Sequence, residues 1–392
     1  MIDFTLDEEH QALRQSVGDF ARTEVAPVIG DYYERGAFPY DLVATMGKMG
    51  LFGLPFPEEY GGMGGDYFAL CLALEELARV DSSVAITLEA AVSLGAMPIF
   101  RFGTDEQKRS WLPQLCSGAK LAAFGLTEPG GGSDVPGGMR TTAVLEGAGA
   151  GPAGPGGHWV INGSKAFITN AGTDITALVT VTAKTADGGI SAIIVPSGTP
   201  GFAVGKKYSK VGWSASDTRE LSFTGVRVPE ANLLGQRGRG YAQVLSILDE
   251  GRIAIAALSV GLAQGCIDEC LGYAAQREAF GRAIGQYQAI QFKIADMEAR
   301  AYSARTAYYA AAARMLAGEP YKKEAAIAKL VASGAAMDNA RDATQIFGGY
   351  GFMNEFPVGR FYRDAKILEI GEGTSEVLRM LIARDLGLPP AR

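Results

Sequence analysis

Histidine is the scarcest chemically versatile residue in this chain: 392 residues contain two, His10 and His158. One falls in an acidic helical pattern and the other beside a glycine-rich run. That argues against Ser-His or Cys-His nucleophilic chemistry and against any multi-histidine metal site. Cysteine is nearly as sparse. Cys71, Cys116, Cys266 and Cys270 match neither a disulfide framework nor a paired zinc spacing, and Cys266 and Cys270, four apart on one helical face, read as core filling rather than metal ligands. Positive charge is not in excess either. With a net charge of −7, neither a polyanion-binding face nor a nucleic-acid partner is expected, although local Arg and Lys can still meet phosphates. The N-terminus, MIDFTLDEEHQALRQSV, lacks the basic-then-apolar order of a signal or transit peptide, and no apolar stretch reaches spanning length uninterrupted. A cytoplasmic protein with no membrane partner is the expectation. No strand–GxGxxG–helix unit occurs, so a dinucleotide is not held in Rossmann fashion.

What is present is a chain that is 47% hydrophobic and long enough for two or three domains around a sizeable core. Its period changes twice. Helical spacing of apolar residues predicts helices over Asp7–Val25, Asp41–Met49, Asp66–Val80, Ser83–Phe100 and Thr104–Leu115, which gives an all-helical domain over residues 1–121. Strand-like alternation then marks a middle domain over 122–235. Here His158–Thr169 reads as a hairpin about Asn162-Gly163, Thr176–Ala183 and Ile190–Pro196 as a hairpin about Asp187-Gly188-Gly189, and Leu221–Val228 as a strand that Pro229 stops. The run Gly147–Gly157 is followed by no helix and reads as a flexible hairpin tip, not a phosphate loop. Residues 236–392 return to long helices, Tyr241–Ala279, Gln286–Leu316 and Tyr321–Phe347, apolar on most faces as in a bundle that also meets other subunits. The fold class is α+β, mainly α, with a mostly antiparallel sheet between helical domains.

With histidine nearly absent, acid–base work falls to carboxylates. Glu372 stands between Gly371 and Gly373, just before a helix that Thr374 or Ser375 can N-cap. The flanking glycines leave its backbone open to close approach by another molecule. Four further constellations accompany it. Leu126-Thr-Glu-Pro-Gly-Gly-Gly-Ser-Asp134 is a polar turn able to present backbone N–H groups and two hydroxyls, and strand alternation places Phe167 and Thr169 on one face. Arg277-Glu-Ala-Phe-Gly281 with Gln288 joins two helices, and Gln345-Ile-Phe-Gly-Gly349 ends one. Each is unremarkable alone; a Glu at a helix start, for instance, ordinarily only favours the helix dipole.

Together, LTEPGGGSD, KAFITNAG, QREAFG, QIFGGYG and IGEGTSEVLR, with NLLG and LDEGRIAIAA between them, resemble the flavin-dependent acyl-CoA dehydrogenase family over essentially the whole chain. The resemblance implies an N-terminal helical domain, a middle β-domain and a C-terminal four-helix bundle, assembled as a homotetramer or less often a dimer. It implies FAD between sheet and bundle, with Phe124, Leu126, Thr127, Phe167 and Thr169 at the flavin and Gly132 and Ser133 bordering flavin and thioester. Arg277, Phe280, Gln288, Gln345 and Gly349 would hold the adenine-pyrophosphate end from a neighbouring subunit, and Thr374 and Glu376 would contact FAD near the base. Asp249, Arg252, Ser133 and Gly373 match substrate contacts. Glu372 matches the catalytic base, whose burial should raise its pKa, while its backbone N–H and a ribityl hydroxyl would polarise the thioester oxygen. No metal is implied. Electrons would pass to an electron-transferring flavoprotein; the alternative is an acyl-CoA oxidase or another oxygen-using flavoenzyme on the same fold.

Three positions depart from common members. Some subgroups place the base where Gly251 stands, Phe167 replaces a frequent Trp, and Gly371 a frequent Tyr. Glu250, about 100° round the helix from Gly251, is expected to face elsewhere. Glycine at 251 and 371 leaves width at the α and β carbons, so butyryl-CoA or a 2-methyl-branched short acyl-CoA is the expected substrate, in fatty-acid or branched-chain amino-acid breakdown.

Overall fold

Side-chain caps set the starts of the first helices. In the computed structural model, which describes residues 6–147, 156–186 and 188–389, Asp7, Asp66, Asp81 and Thr104 each accept a backbone N–H of the turn they precede. The N-terminal layer comprises α1 (Glu8–Phe20), α2 (Ala26–Arg35), α3 (Tyr40–Lys48), α4 (Tyr67–Ala78), α5 (Ser82–Glu89), α6 (Met97–Phe102) and α7 (Asp105–Cys116). Two of these helices run on where sequence suggested an end or a plain helix. α1 continues past Val25 into α2 through a π turn at Ala21–Val25, because Pro27 falls in the first turn of α2, where its missing N–H is not needed. The stretch Ser83–Phe100 is α5 and α6 joined by a π turn at Ala90–Ala96.

The sheet comprises β1 (Leu121–Gly125), β2 (Thr142–Glu146), β3 (His158–Thr169), β4 (Thr176–Thr185), β5 (Ile190–Pro196), β6 (Phe202–Lys207), β7 (Thr218–Pro229) and β8 (Leu233–Leu234), with the short α8 (Val135–Gly138) after β1. Its order is β6-β7-β3-β2-β4-β5-β8, with β1 beside β4. Pairing is antiparallel except for β1–β4 and β2–β4. The β4–β5 hairpin forms as expected, although Asp187 of its turn lies outside the described residues. The hairpin expected at Asn162-Gly163 does not form. β3 runs straight through as one strand, paired along its length with β7, and Gly163 (φ 146°) sits at a register shift where a Cβ would strike Thr141 Oγ1 at 2.4 Å. The dipeptide is a bulge rather than a turn because both halves of the strand find a partner in β7 instead of each other. The glycine-rich run links β2 to β3, whose Glu146 and His158 pair, but residues 148–155 lie outside those described.

Helices α9 (Gly240–Gln276), α10 (Gln288–Leu316), α11 (Lys322–Phe347), α12 (Pro357–Leu368) and α13 (Ser375–Asp385) complete the fold. α12 was not foreseen from the sequence. α9 is the axis: its residues touch α4, α5, α10, α11 and α12, which makes one continuous apolar core of the two helical layers. By length and mean hydropathy alone Ser82–Phe102 and Gly240–Gln276 could cross a membrane, but charged residues interrupt both, Glu89 in the first and Arg252 in the second, so neither is an uninterrupted apolar stretch of that length. Their apolar windows are 89% and 83% buried against the rest of the chain, as befits core helices. All four cysteines are buried and unpaired. The layers are tied at Asp364 of α12, which accepts from Tyr33 Oη (2.6 Å), Ser82 Oγ (2.7 Å) and Trp213 N (2.7 Å).

Candidate active site

The turn between α12 and α13 is built to present one carboxylate. Gly371 N donates to Ile367 O, and Thr374, rather than Ser375, caps α13 by accepting from Val377 N at 3.2 Å. Between them the backbone enters the left-handed region at Glu372 (φ 52°) and Gly373 (φ 101°). Lys329 of α11, fully buried, reaches the turn and donates to Gly373 O at 2.7 Å, which pins the loop from below. Glu372 is thereby turned towards α9. Its Oε2 is sealed from solvent without a hydrogen-bond partner and stands 2.5 Å from where a Cβ of Gly251 would be. The missing side chain at 251 is the space this carboxylate occupies. Burial pushes its pKa up, while the neighbouring Glu89 carboxyl, Lys329 and Arg252 pull it back down. Burial likewise holds Lys329 down to about 8.

Asp249 and Arg252 flank Gly251 and pair with each other; Arg252 is buried, and its Nε has no partner and faces the Gly373 position. Glu372, Asp249, Arg252, Gly373 and Thr374 therefore lie together, and Glu376 lies exposed in the first turn of α13. Glu250 does face elsewhere: it is buried against Arg101, 3.0 Å away. An unpaired carboxylate oxygen beside an unpaired guanidinium N–H is a polar pair suited to a ligand that itself carries both donors and acceptors.

A second group gathers on the sheet. Phe124 lines β1, and the Leu126–Asp134 turn is held by Lys165, whose Nζ donates to Leu126 O (3.2 Å), Glu128 Oε1 (2.8 Å) and Thr182 Oγ1 (3.3 Å). Gly132 and Ser133 lie exposed on that turn, with nothing within 4 Å of a Cβ at Gly132. Phe167 is not a core residue: at a break in the β3–β7 register it takes φ 62° and leaves its ring 65% exposed, against Tyr208. Thr169 shares its less buried face. An aromatic face, a hydroxyl and an open glycine turn fit a planar ring system. Among the described residues five non-glycines have positive φ, and Phe167, Phe280 and Glu372 are three of them. Backbone strain of this kind persists only where the surrounding structure over-determines it, and it clusters at active sites and ligand clamps.

The third group lies far off. Arg277 caps the end of α9, 26 residues beyond Gly251, about 39 Å along the axis at 1.5 Å per residue. It lines a cleft of about 460 Å³ with Tyr273, Phe347, Gly348, Gly349 and Tyr350. Its guanidinium lies over the Tyr350 ring, and Phe280 stands 99% exposed. Gln288 and Gln345 are exposed at the same end. Within one chain this group does not join the other two.

Two site residues escaped the motif reading, Glu89 and Lys329. Each is a lone charge in an apolar helical run, ITLEAAVSLG and AIAKLVAS, and that isolation was the available signal.

Comparison with known proteins follows the same division. Family models described as acyl-CoA dehydrogenase N-terminal, middle and C-terminal domains match residues 7–119, 123–226 and 238–387. The chain is 48% identical over 388 residues to a probable acyl-CoA dehydrogenase, YngJ, of Bacillus subtilis, covering 98% of this chain and 100% of that protein. Among solved structures, butyryl-CoA dehydrogenase from Megasphaera elsdenii superposes with a TM-score of 0.93 at 42% identity, covering 98% and 100% of the two chains. An acyl-CoA dehydrogenase complexed with FAD from Bacillus anthracis superposes with a TM-score of 0.90 at 34% identity, covering 98% of this chain and 68% of that one.

Proposed function

The chain belongs to the acyl-CoA dehydrogenase family of FAD-dependent oxidoreductases, and from that premise we propose that it converts a short acyl-CoA thioester to the trans-2-enoyl-CoA with Glu372 as the α-proton base. FAD, when bound, supplies the acceptor for the β-hydrogen as hydride. The observation that carries the reading is the Glu372 carboxylate: sealed, unpaired at Oε2, and held over the bare turn of α9 by Lys329 and the Thr374 cap. A carboxylate freed of water and of competing donors is a stronger base than one in solvent. Its backbone N–H is free of the helix that follows and is available to the thioester oxygen.

In this reading Phe124, Leu126, Thr127, Gly132, Ser133, Phe167 and Thr169 hold the flavin end of the cofactor. Asp249, Arg252, Gly373 and Ser133 hold the thioester, and Thr374 and Glu376 contact FAD near the base. Arg277, Phe280, Gln288, Gln345 and Gly349 hold the adenine-pyrophosphate end of an FAD seated in a neighbouring chain of a homotetramer, which accounts for their distance from the base. The domains divide at 121/122 and 235/236. Electrons leave to an electron-transferring flavoprotein in the cytoplasm. Glycine at 251 and 371 favours butyryl-CoA or 2-methyl-branched short acyl-CoA; fatty-acid or branched-chain amino-acid breakdown is the corresponding context.

The test is reduction of the enzyme's yellow flavin by acyl-CoA. Across butyryl-, isobutyryl-, 2-methylbutyryl-, isovaleryl-, octanoyl- and palmitoyl-CoA, kcat/KM should peak at the short members and fall gradually, because one methylene discriminates by about 1–3 kcal/mol. Reoxidation should be slow in air and fast with the flavoprotein; rapid peroxide release would instead make it an oxidase. Glu372→Gln should keep yellow FAD and thioester binding yet lose bleaching by more than the ~10²–10⁴ of a typical general base. A variant that keeps a tenth of the activity moves the base elsewhere.

A further inference from the structure

A second carboxyl shares the space over Gly251. Glu89 ends α5 with 0% exposure, and neither of its oxygens has a hydrogen-bond partner. The π turn that begins at Ala90 widens the helix at this point, a distortion commonly found at functional sites. From the position a Cβ would take on Gly251, Glu372 Oε2 is 2.5 Å and Glu89 Oε1 is 3.8 Å away. The two carboxyls thus face the same small buried space over Gly251, each measured from one point on α9.

The surrounding charges do not neutralise the pair. From α11, Lys329 Nζ is committed to Gly373 O. From α9, Arg252 pairs with Asp249, and Glu250 with Arg101. From α4, Tyr67 Oη donates to Ser93 Oγ rather than to Glu89. Burial keeps both Tyr67 and Cys71 protonated, with pKa values well above their ordinary ones. At the far end of α5, Arg360 is taken by Asp81.

We propose that Glu89 is a positioning residue for the base: it holds the single proton that the two carboxyls share and donates it as a hydrogen bond to Glu372, which stays ionised. The proposal rests on the reading of Glu372 as base. Two carboxylates in one dry site cannot both ionise. The proton settles on Glu89 because it is the more deeply buried and faces no cation, whereas Glu372 feels Lys329 and Arg252. Burial and then the Glu372 charge drive the Glu89 carboxyl well above the ordinary range. A neutral acid beside the base stabilises the carboxylate that must accept the α-proton, at a place where water cannot.

Two variants of the FAD-loaded enzyme separate this role from a structural one. Glu89→Gln keeps shape and a donor; Glu89→Leu removes the donor. Infrared spectra of the resting enzyme at neutral pH should show a protonated-carboxyl band that both variants lose. In the pH profile of flavin bleaching, the acid limb should move up by about one pH unit in Glu89→Leu and return towards wild type in Glu89→Gln, the shift expected when a charge-assisted hydrogen bond is lost. An acid limb that moves to lower pH, or not at all, or a carboxyl band that survives both substitutions, overturns the proposal. If Glu372→Gln bleaches like wild type, the base reading fails, and the infrared band still reports whether Glu89 holds a proton.

Discussion

A single methyl group at residue 251 is enough to disturb the centre of this site. Gly251 lies in the interior of α9, where alanine is the better helix former by about 1 kcal/mol, so Gly251→Ala should leave the fold as stable as before or slightly more so. The new Cβ would stand 2.5 Å from Glu372 Oε2, inside any permitted contact, and the free end of that side chain must give way. Displacing a reacting group by about 1 Å can cost ~10²-fold, so bleaching by butyryl-CoA should fall between ten- and a hundredfold at unchanged or raised Tm. Stopped-flow reduction and thermal unfolding of the same sample check both halves; wild-type rates would mean that the carboxylate does not work from this position. The glycine signal was legible in LDEGRIAIAA, but only as width in the pocket. That the width is filled by Glu372, with Glu89 alongside, belongs to the packing of three segments distant in sequence.

At the scale of elements, the Leu126–Asp134 turn owes its shape to a buried ion pair. Lys165 of β3, with no exposure, binds Glu128, and Glu128 in turn accepts the N–H groups of Arg140 (2.6 Å) and Thr141 (3.1 Å). One carboxylate thus ties the turn to β3 and to the segment that enters β2. Burial holds Lys165 down to about 8, which by itself favours a neutral pair, whereas the Lys165 and Thr141 bonds overcome burial and hold Glu128 below the usual carboxylate range; because the lysine still titrates above neutrality, the pair is charged at pH 7. Lys165→Met leaves Glu128 buried without its cation and should destabilise by about 3–5 kcal/mol in denaturant unfolding, with loss of bound FAD. Adding Glu128→Gln should restore part of the loss. A cost below about 1 kcal/mol would show that the pair is not what holds the turn. The motif KAFITNAG announced this strand, yet the bulge that exposes Phe167 depends on how β7 pairs with it, which no local pattern encodes.

At the scale of the whole molecule, the exposed aromatic end of the bundle calls for a cover. Phe280 and Phe352 stand 99% and 90% exposed, at the junction of α9 and α10 and beyond α11, around the Arg277 cleft. If a neighbouring chain brings its FAD there, Arg277→Ala removes a charge-assisted bond of about 1.5–3 kcal/mol, and FAD affinity should drop roughly ten- to a hundredfold with the fold intact. Fluorescence of released FAD on dilution measures the loss, and sedimentation should show the yellow enzyme as a tetramer. A monomer that retains its full complement of FAD would rule out the two-chain site.

Periodicity, caps and turn residues act over a few neighbours, so the sequence by itself determined where most helices start, the β4–β5 hairpin, the change from helix to strand and back, and the five motifs that mark Glu372 and its company. Tertiary structure decided the rest. Asn162-Gly163 is an adequate turn that was not used because β7 offered both halves of β3 a longer ladder. α12 took its place by seating Asp364 among donors from α2, α5 and the segment before β7. The meeting of Glu89, Gly251 and Glu372 arose from two helices and the turn between α12 and α13, none of which carries a local sign of the others. A carboxylate's role depends on what dries it and what donates to it, and both are properties of space rather than of spacing.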